Sequence, residues 1–235
     1  MKKTVIVVYG RMNPPTKGHE QLIQKAVDIK KSGLPGKETN KDTWANTSWH
    51  EKLVQNNKHL NNDTHIIFKP FDKKSINNAT VVVMVTKTYI GSGKVSSENK
   101  KKSVVRNPLK PENKVQLIES MVDRRKVQVK TVTSLGSVFT EYPEEEYNVI
   151  LVLGSDRVYG KERMKLISYA SAVVSMGRPT TSYSSTKLKT LIRNKKKGDA
   201  RNMVSSKIIN ELFRKMFVEV EEGQKIHNRL KRLKK

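Results

Sequence analysis

This chain has no cysteine, few aromatic residues (6%) and fewer than half as many acidic as basic side chains, 22 Asp and Glu against 47 Lys and Arg. The missing cysteine excludes structural disulfides and thiolate metal sites. No apolar run approaches the roughly 20 residues that span a bilayer, and the opening Met-Lys-Lys leads into an apolar stretch too short for a signal-peptide core. These absences predict a soluble, intracellular, cytoplasmic protein with no membrane partner. With 235 residues the chain can bury one good core and a small appendage.

Positive charge is what the chain has in excess. A net charge of +25 attracts polyanions, whether nucleotides, nucleic acid or an acidic protein surface. The same Lys- and Asn-rich composition also fits solvated faces encoded by an AT-rich genome, so composition alone leaves the partner open.

The most informative stretch is Val5–His19, VIVVYGRMNPPTKGH. A continuous apolar run ended by Gly and Pro reads as a buried parallel strand. Leu22, Ile23, Ala26 and Val27 then mark one face of a helix. A strand, a tight turn and a helix start in sequence aim free N–H groups and the positive end of a helix dipole at the turn, whose natural occupant is a phosphate. Thr16 and His19 add side-chain donors to the same rim. The plainer alternative makes His19 an ordinary first-turn residue and Gly18 a packing glycine.

Farther along, the polar stretch from Ser32 to Asp63 reads as a surface insertion, with a helix around Trp49–Leu60. Its two tryptophans, Trp44 and Trp49, either stack on a base or anchor the insertion. His65–Phe68 and Thr80–Ile90 both read as strands, and neither is marked as the neighbour of the first. The Gly-Ser-Gly-Lys at 91–94 lacks the spacing of a phosphate loop and reads as a hairpin turn; residues 72–106 form a second polar, basic insertion. A helix is expected from Pro111 to Val122 with Val115, Ile118, Met121 and Val122 buried, then strands over Val127–Thr131, Tyr147–Leu153 and Ala172–Ser175. After Tyr147–Leu153 comes Gly154-Ser155-Asp156, where open α/β sheets bind ligands; Asp156 either contacts a ligand or caps the next helix. Tyr183-Ser184-Ser185-Thr186-Lys187-Leu188-Lys189 enters a helix whose start gathers hydroxyls and N–H groups. Lys195–Gly198 reads as a basic loop, Ile208–Phe217 as an amphipathic helix, and the end as a basic tail, either a docking helix for an acidic partner or a solvated fray. This alternation predicts an α/β fold, a Rossmann-like parallel sheet flanked by helices, over residues 1–204, with 205–235 as a helical extension.

The order of these stretches resembles the nucleotidyltransferase superfamily, whose first signature is a (His/Thr)-x-Gly-His after the first strand, matched by Thr16, Gly18 and His19. Asn107-Pro108-Leu109 before a helix resembles its phage-encoded members. Ser184-Ser185-Thr186 resembles the second signature, Ile-Ser-Ser-Thr-x-(Ile/Val)-Arg, with two departures: Tyr183 replaces the apolar residue and Lys189 the Arg. Lys keeps the charge and loses the bidentate fork, and Arg193 lies one turn on along the same face. The style of both motifs is most similar to nicotinamide and nicotinate mononucleotide adenylyltransferases. Arg178–Thr186 lacks the Gly of the cytidylyltransferase motif, and pantetheine-phosphate adenylyltransferase stays open.

The resemblance implies transfer of AMP from ATP, with Mg²⁺, to a phosphate-bearing acceptor. It implies His19, Thr16, Lys17 and Lys189 as catalytic residues and Tyr9, Gly10, Arg11, Asn13, Gly18, Ser184, Ser185, Thr186 and Arg193 as nucleotide-binding ones. Gly154 and Asp156 are implied for the acceptor. It also brings in multimerisation and a viral source, with host cytoplasm or a virion as the location. The competing expectation is a non-catalytic, basic, nucleic-acid-associated or virion component that keeps the fold.

Overall fold

The computed structural model describes residues 2–39, 63–87, 109–154, 157–158, 161–177, 183, 185–194 and 196–216. Residues 40–62 with Trp44 and Trp49, the Gly-Ser-Gly-Lys turn, Ser155, Asp156, Ser184 and the basic tail lie outside them, while the described parts of the expected insertions at 32–63 and 72–106 supply strands at Lys37–Glu38 and Thr80–Thr86. The chain divides into two compact units, the first formed by Met1–Gly10, Gln21–Met84 and Arg124–Ser182, the second by Arg11–Glu20, Val85–Asp123 and Tyr183–Lys235.

The first unit is built on a seven-stranded, mostly parallel sheet with helices alternating between the strands, an α/β Rossmann-like fold. In chain order the strands are β1 (Lys3–Gly10), β2 (Lys37–Glu38), β3 (Thr64–Ile67), β4 (Thr80–Thr86, its last two residues counted with the second unit), β5 (Val127–Val132), β6 (Tyr147–Gly154) and β7 (Ala172–Met176). They lie in the order β2-β3-β7-β6-β1-β4-β5. Val5–Val8, Val81–Val85 and Val149–Leu153 are buried throughout, as central strands covered on both faces must be. Each such Val, Ile or Leu side chain contributes about 1.5–3 kcal/mol by leaving water. Of the two strands the sequence left unranked, β4 neighbours β1, while β3 runs antiparallel beside β7. From β1 the chain first crosses to β2 and β3 at the far edge, then fills β4 and β5 on one side of β1 before β6 and β7 fill the other. That reversal makes β1/β6 the topological switch point. These strands are parallel with Val8 opposite Val152, so both end two residues on, in Gly10 and Gly154.

Helix α1 (Lys17–Ser32) begins in the second unit and continues in the first, burying Leu22, Ile23, Ala26 and Ile29. Helices α3 (Gly136–Glu141) and α4 (Lys161–Ile167) belong to the first unit. Between β3 and β4 the Asp-Lys-Lys-Ser-Ile-Asn-Asn segment forms a 3₁₀ turn, Lys73–Asn78, with Asp72 accepting from the Lys74 N–H as its cap.

The second unit holds α2 (Pro111–Met121), α5 (Ser185–Arg193), α6 (Lys197–Arg201) and a helical run at 209–216. Its core joins Leu109, Leu117 and Met121 to Leu188, Ile192, Ala200, Val204, Ile208 and Leu212. Residues 205–216, expected as an extension, are thus part of this unit. The expected basic loop at 195–198 instead leads into α6, because Ala200 packs fully into this core. No helix among the described residues is long and apolar enough to cross a membrane.

Lys130 on β5 illustrates the ion pairs of the first unit. Its ammonium donates to Glu141 and to the Tyr142 hydroxyl and stands 5.4 Å from that ring's centroid. The hydrogen bond to Glu141 holds the Lys130 pKa above its ordinary 10.5, and burial raises that of Tyr142. A raised folded-state value means that the contribution is complete below the unfolded pKa and disappears as pH rises through the folded one. Lys130→Met should therefore lower the melting midpoint at neutral pH, and the gap to wild type should close above about pH 10.5. Melting curves from pH 7 to 12 check this.

Candidate functional site

Arg11–Glu20, the turn that follows β1 in the chain, is fastened within the second unit by three separate segments. Asn13, 4% exposed, accepts the Leu109 N–H through Oδ1 at 3.0 Å and donates from Nδ2 to the Leu109 carbonyl at 3.2 Å. The Ser185 hydroxyl, at the start of α5, donates to the Pro14 carbonyl at 2.9 Å. The Lys17 N–H donates to the Met203 carbonyl at 2.9 Å. Met12, 1% exposed, has φ at 43°, a left-handed conformation that costs a non-glycine residue about 1–2 kcal/mol and recurs at ligand sites. The Asn13–Pro14 peptide bond is cis.

Asn13 has both ends of its amide committed to Leu109, so the structure uses it as a pin joining the turn to the approach to α2. Asn13→Ala would strand a buried N–H and a buried carbonyl, and should cost about 2–4 kcal/mol. Chemical denaturation checks this; a loss under 1 kcal/mol would mean that the loop repacks.

Thr16 and His19 form one half of a capping box at the start of α1, the side chain of His19 accepting the N–H of Thr16. The Thr16 N–H donates to His19 Nδ1 at 3.0 Å, Thr16 Oγ1 lies 2.9 Å from the same nitrogen, and the Thr16 carbonyl accepts the His19 and Glu20 N–H groups. His19 thus occupies the place a Glu or Gln usually takes. Because Nδ1 is an acceptor here, the ring proton of the neutral imidazole belongs on Nε2, which makes that nitrogen a donor. The Thr16, Lys17, His19 and Glu20 amides all have acceptors, and among the described residues the Gly18 N–H has none. The turn therefore presents the Gly18 N–H at the positive end of a 16-residue helix, and the tautomer places the His19 ring proton on Nε2.

Gly18 is held by no internal steric need. A Cβ there would meet Thr16 Oγ1 at 3.6 Å, Tyr183 Cβ at 3.6 Å and Tyr183 Cδ2 at 3.8 Å, all ordinary contacts, and its φ is not left-handed. A helix pays up to about 1 kcal/mol for Gly over Ala, so a glycine without such a need suggests close approach by a ligand.

The second motif lies in the same unit. Ser185 bonds Pro14, Thr186 and Lys187 are exposed, Lys189 is 8% exposed, and Tyr183 packs beside Gly18. Arg193 ends α5, and Arg11 is exposed. Tyr9, Gly10 and Gly154 belong to the first unit, at the ends of β1 and β6.

Nothing in the sequence marks Lys114 for burial, and its pattern places Val115 in the buried stripe of α2. The buried face is instead Lys114, Leu117, Ile118 and Met121, with Lys114 fully enclosed and its ammonium donating to the Thr86 carbonyl. A lysine can be buried when its charge finds such an acceptor, and hydropathy carries no sign of that.

No protein-family model matches this chain, and no curated protein matches it.

Proposed function

We propose that the chain is a nucleotidyltransferase that moves AMP from ATP to a phosphate-bearing small molecule, in the first instance nicotinamide mononucleotide, releasing diphosphate. The observation that carries this reading is the meeting of the Thr-x-Gly-His turn and the start of the Ser-Ser-Thr helix within one unit, joined by the hydrogen bond from Ser185 to Pro14. In this reaction an oxygen of the acceptor's phosphate attacks the α-phosphorus of ATP, the bond from that phosphorus to the bridging oxygen breaks, and diphosphate leaves. Little is asked of the protein beyond alignment and neutralisation of charge.

The Gly18 N–H and His19 Nε2–H would hold the α- and β-phosphates, with Thr186 and Lys189 on the β- and γ-phosphates and Lys17 and Arg11 assisting. Taken by itself, the first unit has two strands that end in glycine, Gly10 and Gly154, at the kind of strand-end position where open α/β sheets bind ligands. Magnesium would arrive as the ATP complex, on phosphate oxygens. There it would neutralise charge on the departing diphosphate.

The test is diphosphate release from Mg-ATP with nicotinamide mononucleotide or phosphopantetheine offered separately, in wild type and His19→Ala. Release that needs one acceptor and is lost in the variant supports the reading and names the acceptor. Silence with every acceptor, in protein shown to be folded, overturns it. That silence would favour a second reading, a basic nucleic-acid-associated component, for which the observation is that the second unit carries most of the excess positive charge. That reading requires polynucleotide binding that weakens steeply with salt.

A further inference from the structure

Two long-range hydrogen bonds fasten the first turn of α1 to residues 203–205. Besides the bond from the Lys17 N–H to the Met203 carbonyl, the Ser205 hydroxyl donates to Glu20 Oε1 at 3.0 Å. This end of the clip is firm: Met203 and Val204 are buried in the second unit's core, and Ser205 is 4% exposed. The Ser205 carbonyl accepts the Ile208 N–H as the chain turns into the helix at 209–216.

Glu20 is the acidic residue of the first turn of α1 and follows His19 directly. Its carboxylate belongs to the same turn as the Gly18 and His19 donors. An unrestrained anion in that turn would repel a bound triphosphate and draw on the same helix-terminal field. The bond from Ser205 instead ties the carboxylate to the segment that opens the next helix, whose own N-terminus favours a negative charge.

We propose that Ser205 is a positioning residue for triphosphate binding: it holds the Glu20 carboxylate away from the Thr16–His19 turn, while the Met203 carbonyl occupies the Lys17 N–H and leaves that of Gly18 to the ligand. This rests on the triphosphate reading of that turn. It adds that residues 203–205, which carry no recognisable motif, set the electrostatics of the site.

Calorimetric titration with Mg-ATP and with inorganic tripolyphosphate tests it. Ser205→Ala should weaken both by about fivefold to tenfold, less at high salt, with little change in melting midpoint. Ser205→Thr keeps the hydroxyl and should bind as wild type. The decisive protein is Ser205→Ala with Glu20→Gln, in which removal of the charge should restore wild-type affinity; a purely structural role for Ser205 would not be rescued this way. Wild-type affinity in Ser205→Ala, or a loss that Glu20→Gln fails to restore, overturns the inference. Should Ser205→Ala not fold, Glu20→Gln alone decides: equal or tighter binding supports the inference and weaker binding refutes it. If Gly18→Ala abolishes binding while Ser205→Ala is silent, the positioning role alone falls. If wild type binds neither ligand, the triphosphate reading falls with it.

Discussion

His19→Glu should leave the fold intact and lower the proposed adenylyl transfer by about 10²–10³-fold. The fold survives because Glu is the customary partner in a capping box and accepts the Thr16 N–H as His19 Nδ1 does. A negative charge at the start of α1 also suits the helix dipole. On the proposed function, a carboxylate would replace the Nε2 donor and face the phosphates, and one lost donor of this kind costs about 2.7–4 kcal/mol in a transition state. His19→Ala separates the two roles from the other side, losing about 1 kcal/mol of stability with the cap as well as the activity. Melting midpoints beside diphosphate release check both variants. Turnover within tenfold of wild type in His19→Glu would reduce His19 to a capping residue.

Gly18→Ala is the second large effect, because stability and function should move in opposite directions. Ordinary contacts await the new methyl, so the variant should be as stable as wild type or up to about 1 kcal/mol more so. The methyl would stand between the Thr16 hydroxyl and Tyr183, on the side where the two motifs meet, and nucleotide affinity should fall at least about tenfold. Titration with Mg-ATP next to a denaturation curve measures the two quantities together. Unchanged affinity would show that Gly18 is only a tolerated helix residue.

The legible parts of the fold are those where a local pattern has one physical solution. Val5–Val8 and Val149–Leu153 are too apolar and too short for anything but buried strands, and both are central in the sheet. The helix starts after Pro15 and before Lys187 carry their own punctuation, and α1 and α5 begin there. Where a pattern had two solutions, the sequence could not choose. His65–Phe68 and Thr80–Ile90 read alike as strands, and only hydrogen-bonding partners separate an antiparallel addition beside β7 from the neighbour of β1. The stripe of α2 keeps Ile118 and Met121 but takes Lys114 and Leu117 in place of Val115 and Val122, because Lys114 reads as solvent-facing until the Thr86 carbonyl supplies its partner.

The candidate site divides in the same way. Residue types and their order, Thr16-x-Gly18-His19 and Ser185-Thr186, are local facts, and with the strand–turn–helix sequence they suffice to suggest a phosphate at a helix start. Tertiary structure alone decided what each residue does. It set Asn13 on Leu109, Ser185 on Pro14, Thr16 on one nitrogen of His19, and Ser205 on Glu20. Except for the Thr16–His19 pair, these contacts join positions 96 to 185 residues apart. No local periodicity or spacing encodes such pairings; they arise when burial brings donors and acceptors together and the cost of leaving either unpaired selects the arrangement.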